Sequence, residues 1–227
     1  MNLIKNKIKA IIFDMDGTII KTGNIWKQAT KDFLAIYGFY KLNNEQKTFL
    51  ESIASTGLKN TTTQIKNKFG IQGNIDELIA KKASIAQTYM KKNGVQFIEG
   101  FENFHKKLQQ HQISTGLATN ANLKTLNFLK EKINLKNFFG NNMYCLEHVK
   151  YMAKPNPMLF LHTIEKLKVK PEQCIVFEDS VAGFEAAKKA GIKCIAIKNE
   201  DNKKILHYVD GSIENYNEAE EEIKKII

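Results

Sequence analysis

The chain has 227 residues, 43% apolar and 26% charged, which suits one large domain or a domain with a second inserted in it and excludes a disordered chain. Three prolines exclude collagen-like and proline-rich classes, and no apolar run approaches the roughly 20 residues of a membrane helix, so no membrane association is expected. The net charge is +10 and all 34 cationic residues are lysine, but they are spread among 24 acids with no arginine to read bases, so nucleic acid is not expected as a partner and the basic surface is left to attract small anions.

The first residues are basic, but the apolar stretch that follows is too short for a signal peptide, which points to a cytoplasmic protein. Residues 7–13 read as a short apolar strand running into DMDGT at 14–18. Residues 24–92 then read as helical throughout. Ile25, Ala29, Phe33 and Tyr37 share one stripe, and Asn44 is placed to cap a helix reaching Ile53. Thr61 with Gln64 has the capping-box pattern, as has Asn74 with Glu77 ahead of Leu78, Ile79, Ala83, Ala86 and Met90.

From residue 102 onward helices and strands alternate. Helices are expected at 102–111, 122–131 and 157–167, the last with Pro157 in its first turn. A fourth runs from a Ser180 cap to Ala190, with Gly191 at a left-handed C-terminal position and small residues at 182, 183, 186 and 187 for close packing on a sheet. Strands are expected at 113–119, 142–147, 174–177 and 193–197, with a sixth at 206–209, and a final helix at 214–227. The strands are mostly apolar on both faces, as in parallel sheets covered by helices on two sides. The fold class is therefore α/β, a Rossmann-like doubly wound parallel sheet with right-handed crossovers. The helical block after the first strand reads as an inserted cap, residues 22–93, leaving 1–21 and 94–227 as the core, with hinges near residues 21–23 and 92–94. Cys145, Cys174 and Cys194 have no disulfide or zinc spacing, and the last two sit in or beside apolar runs as core thiols.

Ligands of open α/β sheets bind beyond the carboxyl ends of the strands. Those ends carry Asp14 and Asp16, Thr119 and Asn120, and Glu178 and Asp179, with Lys154 and Pro155 in a loop before a helix. Four acids at one edge call for a compensating hard cation, magnesium above all. A lysine and neutral donors beside it make a pocket for a phosphoryl group, which must be screened before an anionic nucleophile approaches.

DMDGT at 14–18, ATN at 118–120, KPNP at 154–157 and FEDSVAGFEAAKKAGI at 177–192 resemble, in this order, the four signature motifs of the haloacid dehalogenase-like superfamily. The helical insert after the first motif matches its phosphatase and β-phosphoglucomutase-like subgroup, and the resemblance spans nearly the whole chain. It implies Asp14 as nucleophile and Asp16 as general acid and then base, with Gly17 and Thr18 completing the loop on the substrate side. It implies magnesium on the Asp14 carboxylate, the Asp16 carbonyl and Asp179, with Glu178 as direct or water-mediated ligand. Thr119 and the Asn120 backbone would hold phosphate oxygens, and Lys154 would offset the charge of Asp14 and phosphate.

Trp26, the only tryptophan, follows the hinge where many relatives have histidine, and either packs between cap and core or touches substrate. The turn of residues 55–59 resembles the cap loop that dips toward substrate, so Lys59 either meets a second anionic group or stays a solvated surface lysine. The expected activity is magnesium-dependent hydrolysis of a small phosphorylated metabolite, a sugar phosphate or phosphoglycolate, by a monomer or weak homodimer. The alternatives are a phosphohexomutase of the β-phosphoglucomutase type, which needs a grip on a second phosphate that arginine usually supplies, and a catalytically idle binding protein on the same fold.

Overall fold

The computed structural model describes residues 1–54 and 56–227. They divide into two compact units, Met1–Lys21 with Phe97–Ile227, and Thr22–Gln96. The first contains helix α1 (Asn2–Lys7) and strand β1 (Ala10–Phe13). The second contains α2 (Gly23–Ile36), α3 (Asn44–Ile53), α4 (Leu58–Phe69) and α5 (Ile75–Asn93). The chain then returns to the first unit with α6 (Phe101–Gln110), β2 (Ser114–Ala118), α7 (Leu123–Lys132), α8 (Lys136–Phe139) and β3 (Met143–Tyr144). It ends there with α9 (Met158–Leu167), β4 (Cys174–Glu178), α10 (Val181–Lys189), β5 (Lys193–Ile197), β6 (Gly211–Ile213) and α11 (Ala219–Ile226).

The strands form one parallel sheet in the order β3-β2-β1-β4-β5-β6. Every residue of β1 and β4 is buried, which is why AIIF and CIVF are apolar without alternation. Phe13 is in register with Leu117 on one side and Phe177 on the other. The residues after these three therefore emerge together at the carboxyl edge, where strand order reverses about β1.

Two faces cover the sheet. On one, Leu159, Phe160, Ile164, Phe184, Ala186 and Ala187 of α9 and α10 pack against Ala10, Ile12 and Val176. On the other lies an aromatic cluster: Phe13 stacks on Phe177 at 5.5 Å, and Tyr216 stacks on Phe104 at 5.6 Å. His105 sits in this cluster, fully buried, with Nε2 at 3.0 Å from Thr115 Oγ1. Its Nδ1 has no partner among the described residues, and burial lowers its pKa from 6.5 to about 4. A histidine kept neutral in the folded state contributes stability above pH 6.5 and loses it as the pH falls toward 4. Wild type should lose about 3 kcal/mol more than His105→Gln between pH 7 and 4 in urea denaturation. Equal losses would show that the imidazole protonates without cost.

Several boundaries differ from expectation for physical reasons. The first strand begins at Ala10 rather than residue 7, because residues 2–7 form α1, whose Ile4 is fully buried. Residues 206–209 are not a strand. Ile205, Leu206 and Val209 pack on the core with His207 and Tyr208 exposed, a three-to-four spacing, and a 3-10 helix spans Lys203–Tyr208. The sixth strand is Gly211–Ile213, where Ser212 N donates to Glu222 Oε1 at 3.0 Å. The third is only Met143–Tyr144, since Leu146–Val149 turn into a 3-10 helix.

The helical unit has its own core of Phe33, Leu34, Ile53, Ile65, Phe69, Ile71 and Leu78. Its α3 is capped by Asn43, not Asn44, through a reciprocal pair of bonds with Gln46. Thr61 is no cap either, because α4 starts after Gly57 and the Thr61 hydroxyl donates to Leu58 O at 3.0 Å. Asn74 does cap α5, accepting from Asp76 N at 2.8 Å and Glu77 N at 3.4 Å. Lys82 is buried on α5 with a hydrogen bond to Thr61 Oγ1 at 3.2 Å, and burial lowers its pKa to about 8. No described helix is long and apolar enough to cross a membrane. All three cysteines are buried free thiols, and burial pushes Cys145 and Cys174 up to about 12, far from a nucleophile's range.

Candidate active site

Asp14 is the first residue past β1, and its N–H donates to Phe177 O at 3.0 Å, which continues the β1–β4 ladder into the loop. The chain then turns sharply. Met15 O accepts from Ile19 N at 3.0 Å and Ile20 N at 3.2 Å, and Gly17 N donates to Ile20 O at 2.8 Å. Gly17 has φ +83, and a Cβ there would lie 2.1 Å from Asp179 Oδ2, so only glycine lets this loop meet the end of β4. Tyr216, from the segment before α11, donates its hydroxyl to Thr18 O at 3.1 Å and holds the loop from below.

Lys154 is 3% exposed. Its ammonium donates to Asp14 Oδ1 at 2.6 Å, Ala118 O at 2.8 Å and Glu178 Oε1 at 2.9 Å, which uses all three N–H bonds and ties β2, β1 and β4 together. Asn120 braces the lysine's backbone: Lys154 N donates to Asn120 Oδ1 at 2.9 Å, and Asn120 Nδ2 donates to Lys154 O at 3.4 Å. The Lys154–Pro155 peptide is cis. Glu178 is filled at one oxygen, while its Oε1 accepts from Lys154. Its Oε2 accepts from Asp179 N at 2.6 Å, Ser180 N at 3.0 Å and Ser180 Oγ at 3.2 Å.

The Glu178 carboxyl occupies space that a side chain on α10 would claim. A Cβ on Gly183 would lie 2.0 Å from it. Alanine is the better helix former by about 1 kcal/mol. Gly183→Ala should nonetheless lower stability by about 2 kcal/mol, since neither the helix nor the buried carboxyl can yield cheaply. A melting temperature equal to or above wild type would contradict this close approach.

Asp14, Glu178 and Asp179 each offer a carboxylate oxygen, and these oxygens lie within 4.8 Å of one another. Burial, then the Glu178 charge, push Asp14 up to about 7 against the opposing pull of Lys154. Burial, then Glu178 and Asp14, raise Asp179 well above the carboxylate range. Burial alone would lower Lys154, but Asp14 and Glu178 reverse this and hold it above its ordinary value. Asp16, half-buried in the loop, adds to the repulsion on both aspartates. One ammonium thus faces two buried carboxyls and a half-buried third, an excess of negative charge with hard oxygen donors that fits a divalent cation such as magnesium.

The expected residues fall into groups. Asp14, Lys154, Glu178 and Asp179 converge, with Gly17 packed against Asp179. Thr119 follows β2 beside them, buried, its Oγ1 accepting from Ala121 N at 3.0 Å. The Thr18 hydroxyl is instead buried without a partner among the described residues, so this side chain is an interior group. Trp26, half-buried on α2, and Lys59, exposed on α4, belong to the helical unit. Of the 55–59 turn, Ser55 lies outside the described residues. Sequence reading placed Gly183 for close packing on the sheet but missed its contact with Glu178, and missed the Ala118 carbonyl and Asn199 and Asn202, which hydrogen-bond Asp179 from the turn after β5. The rule that sites gather at carboxyl ends of strands reaches that turn too, had it been applied to β5.

A family model described as haloacid dehalogenase-like hydrolase matches residues 11–197. The chain is 27% identical over 188 residues to a phosphorylated carbohydrates phosphatase of Thermotoga maritima, covering 83% of this chain and 84% of that protein. It is also 27% identical over 200 residues, 86% of its length, to a bifunctional riboflavin kinase/FMN phosphatase of Arabidopsis thaliana, of which it spans 50%. The crystal structure of a HAD hydrolase, family IA, variant 3, from Entamoeba histolytica superposes with a TM-score of 0.83 at 21% identity, covering 96% of this chain and 99% of that one.

Proposed function

The chain belongs to the haloacid dehalogenase-like hydrolase family, and from that premise and the site geometry we propose a magnesium-dependent phosphatase of small phosphorylated metabolites, working through an aspartyl phosphate on Asp14. The observation that carries the reading is the buried Lys154 ammonium, 2.6 Å from Asp14 and 2.9 Å from Glu178 at the carboxyl edge of the central strand.

Asp14, Asp179 and the Asp16 carbonyl would hold magnesium. Glu178 would act directly or through water by Oε1, which accepts from Lys154, while Oε2 already accepts three hydrogen bonds. Bound there, the ion supplies positive charge that keeps Asp14 ionised and screens the phosphoryl group. An Asp14 carboxylate oxygen attacks phosphorus, the ester P–O bond breaks, and Asp16 gives its proton to the departing oxygen. Asp16, now ionised, then takes a proton from water, whose oxygen attacks the same phosphorus and releases Asp14 and inorganic phosphate. Lys154 fixes the plane of the Asp14 carboxylate through Oδ1. Thr119 and the Asn120 backbone, at the adjoining strand end, bind phosphate oxygens.

The name of the Thermotoga relative supports a phosphorylated carbohydrate as substrate. Trp26 and Lys59 stay candidates for selecting its organic part. With no arginine to grip a second phosphate, hydrolysis is favoured over hexose phosphate isomerisation. The buried free cysteines suit a reducing cytoplasm. A panel of sugar phosphates, phosphoglycolate and nucleotides tests the proposal by release of inorganic phosphate. Release from at least one class with magnesium, silenced by a chelator, is expected. No release across the panel, or indifference to the chelator, would overturn it. Conversion of a hexose 1-phosphate into its 6-phosphate without phosphate release would make the protein a mutase.

A further inference from the structure

The turn between β5 and the 3-10 helix Lys203–Tyr208 carries two asparagines that bind each other and Asp179. Asn199 N donates to Asn202 Oδ1 at 3.0 Å, and Asn202 N donates to Asn199 Oδ1 at 2.9 Å. Each amide oxygen is thus occupied by its partner's backbone, and both NH2 groups are left to donate elsewhere. Asn202, 1% exposed, donates to Asp179 O and Ile197 O, both at 2.8 Å. Asn199 donates to Asp179 O at 3.0 Å and to the carboxylate itself, Oδ2, at 3.3 Å. A flipped amide would set oxygen against these acceptors, so the network fixes both orientations.

The same Asp179 Oδ2 is the atom that approaches Gly17, where a Cβ would lie at 2.1 Å. The carboxylate is therefore gripped from two directions, by the glycine of the nucleophile loop and by an amide of the β5 turn. The bonds from Asn202 reach only main-chain carbonyls and serve the fold. The bond from Asn199 to Oδ2 ends on one of the three carboxylates grouped for a cation.

We propose that Asn199, held by Asn202, is a positioning residue that orients the Asp179 carboxylate and so sets the affinity of the site for a divalent cation. This rests on the metal-site reading above. Partners that orient a ligating group are commonly worth 10- to 100-fold in metal affinity. Titration of magnesium chloride into the metal-free full-length protein, followed by calorimetry, reads this without turnover. Asn199→Ala should bind magnesium at least about 10-fold more weakly than wild type while still melting cooperatively in chelator. Asn199→Ser, run alongside in case the alanine variant does not fold, should weaken binding in the same direction. Glu200→Gln removes an exposed charge from the same turn and should leave affinity within about twofold, as screened surface charges do. Wild-type affinity in a folded Asn199 variant, or an equal loss in Glu200→Gln, would overturn the proposal. A wild type that takes up no magnesium would overturn the metal-site reading along with it.

Discussion

Asp14→Asn is expected to lower phosphoester hydrolysis by at least about 10^4-fold, on the scale seen when a covalent nucleophile is removed, and to leave a folded protein. An amide cannot form the acyl phosphate. It can still accept from Lys154 through its oxygen, the contact that in the wild type spans 2.6 Å. Removing one anion also relieves the repulsion that Glu178 and Asp16 impose on Asp14, so unfolding in urea should occur at a concentration no lower than for wild type. Magnesium should bind more weakly, because one of three grouped carboxylates is gone. Appreciable turnover in the variant would remove the covalent route.

Lys154→Met should have the largest effect on stability, a loss of about 3–5 kcal/mol, together with loss of turnover. The thioether fills much of the space but donates nothing. Asp14 and Glu178 would keep their burial without a cation, and Ala118 O would lose its donor. The sign of the pH dependence checks the cause. A carboxyl whose folded pKa is raised contributes stability that is present at low pH and lost as pH rises through that pKa. Asp14 already reaches about 7 with the lysine present, and without it the carboxyls should rise further. The deficit against wild type should therefore be larger at pH 8 than at pH 5, and magnesium should recover part of it at pH 8 by binding the folded state. A deficit independent of pH and magnesium would mean that the lysine acts through packing alone.

Most of the site was legible because its residues stand at strand ends, where chain order and the switch-point rule suffice to collect them. Asp14 and Thr119 follow, and Glu178 ends, strands whose register aligns Phe13 with Leu117 and Phe177. What sequence reading missed depends on three-dimensional crowding. Gly183 reads as one small residue among several on α10, and only the Glu178 carboxyl beside it shows that alanine does not fit. Asn199 and Asn202 sit in a polar turn, KNEDN, that pattern alone cannot tell from any solvated loop. Thr18 belongs to the motif, yet its hydroxyl faces the interior. Cap positions slipped by one residue at Asn43 because adjacent asparagines are chemically equivalent, and the geometry that chooses between them lies in the preceding chain. The sixth strand was misplaced because Leu206 and Val209 are apolar for a helical reason.

The position of β1 has a consequence for how the polypeptide is made. It is the third strand across the sheet, yet its neighbours lie beyond residues 114 and 174. While the ribosome works through the helical segment, AIIF has no pairing partner on either edge, and an unpaired apolar strand of this kind invites association with other nascent chains. The intervening residues can meanwhile assemble around Phe33, Phe69 and Leu78. The acidic pair of the site arrives late, when CIVFED emerges and supplies the second edge together with Glu178 and Asp179. Polypeptides released before that point would depend on chaperones to remain dispersed.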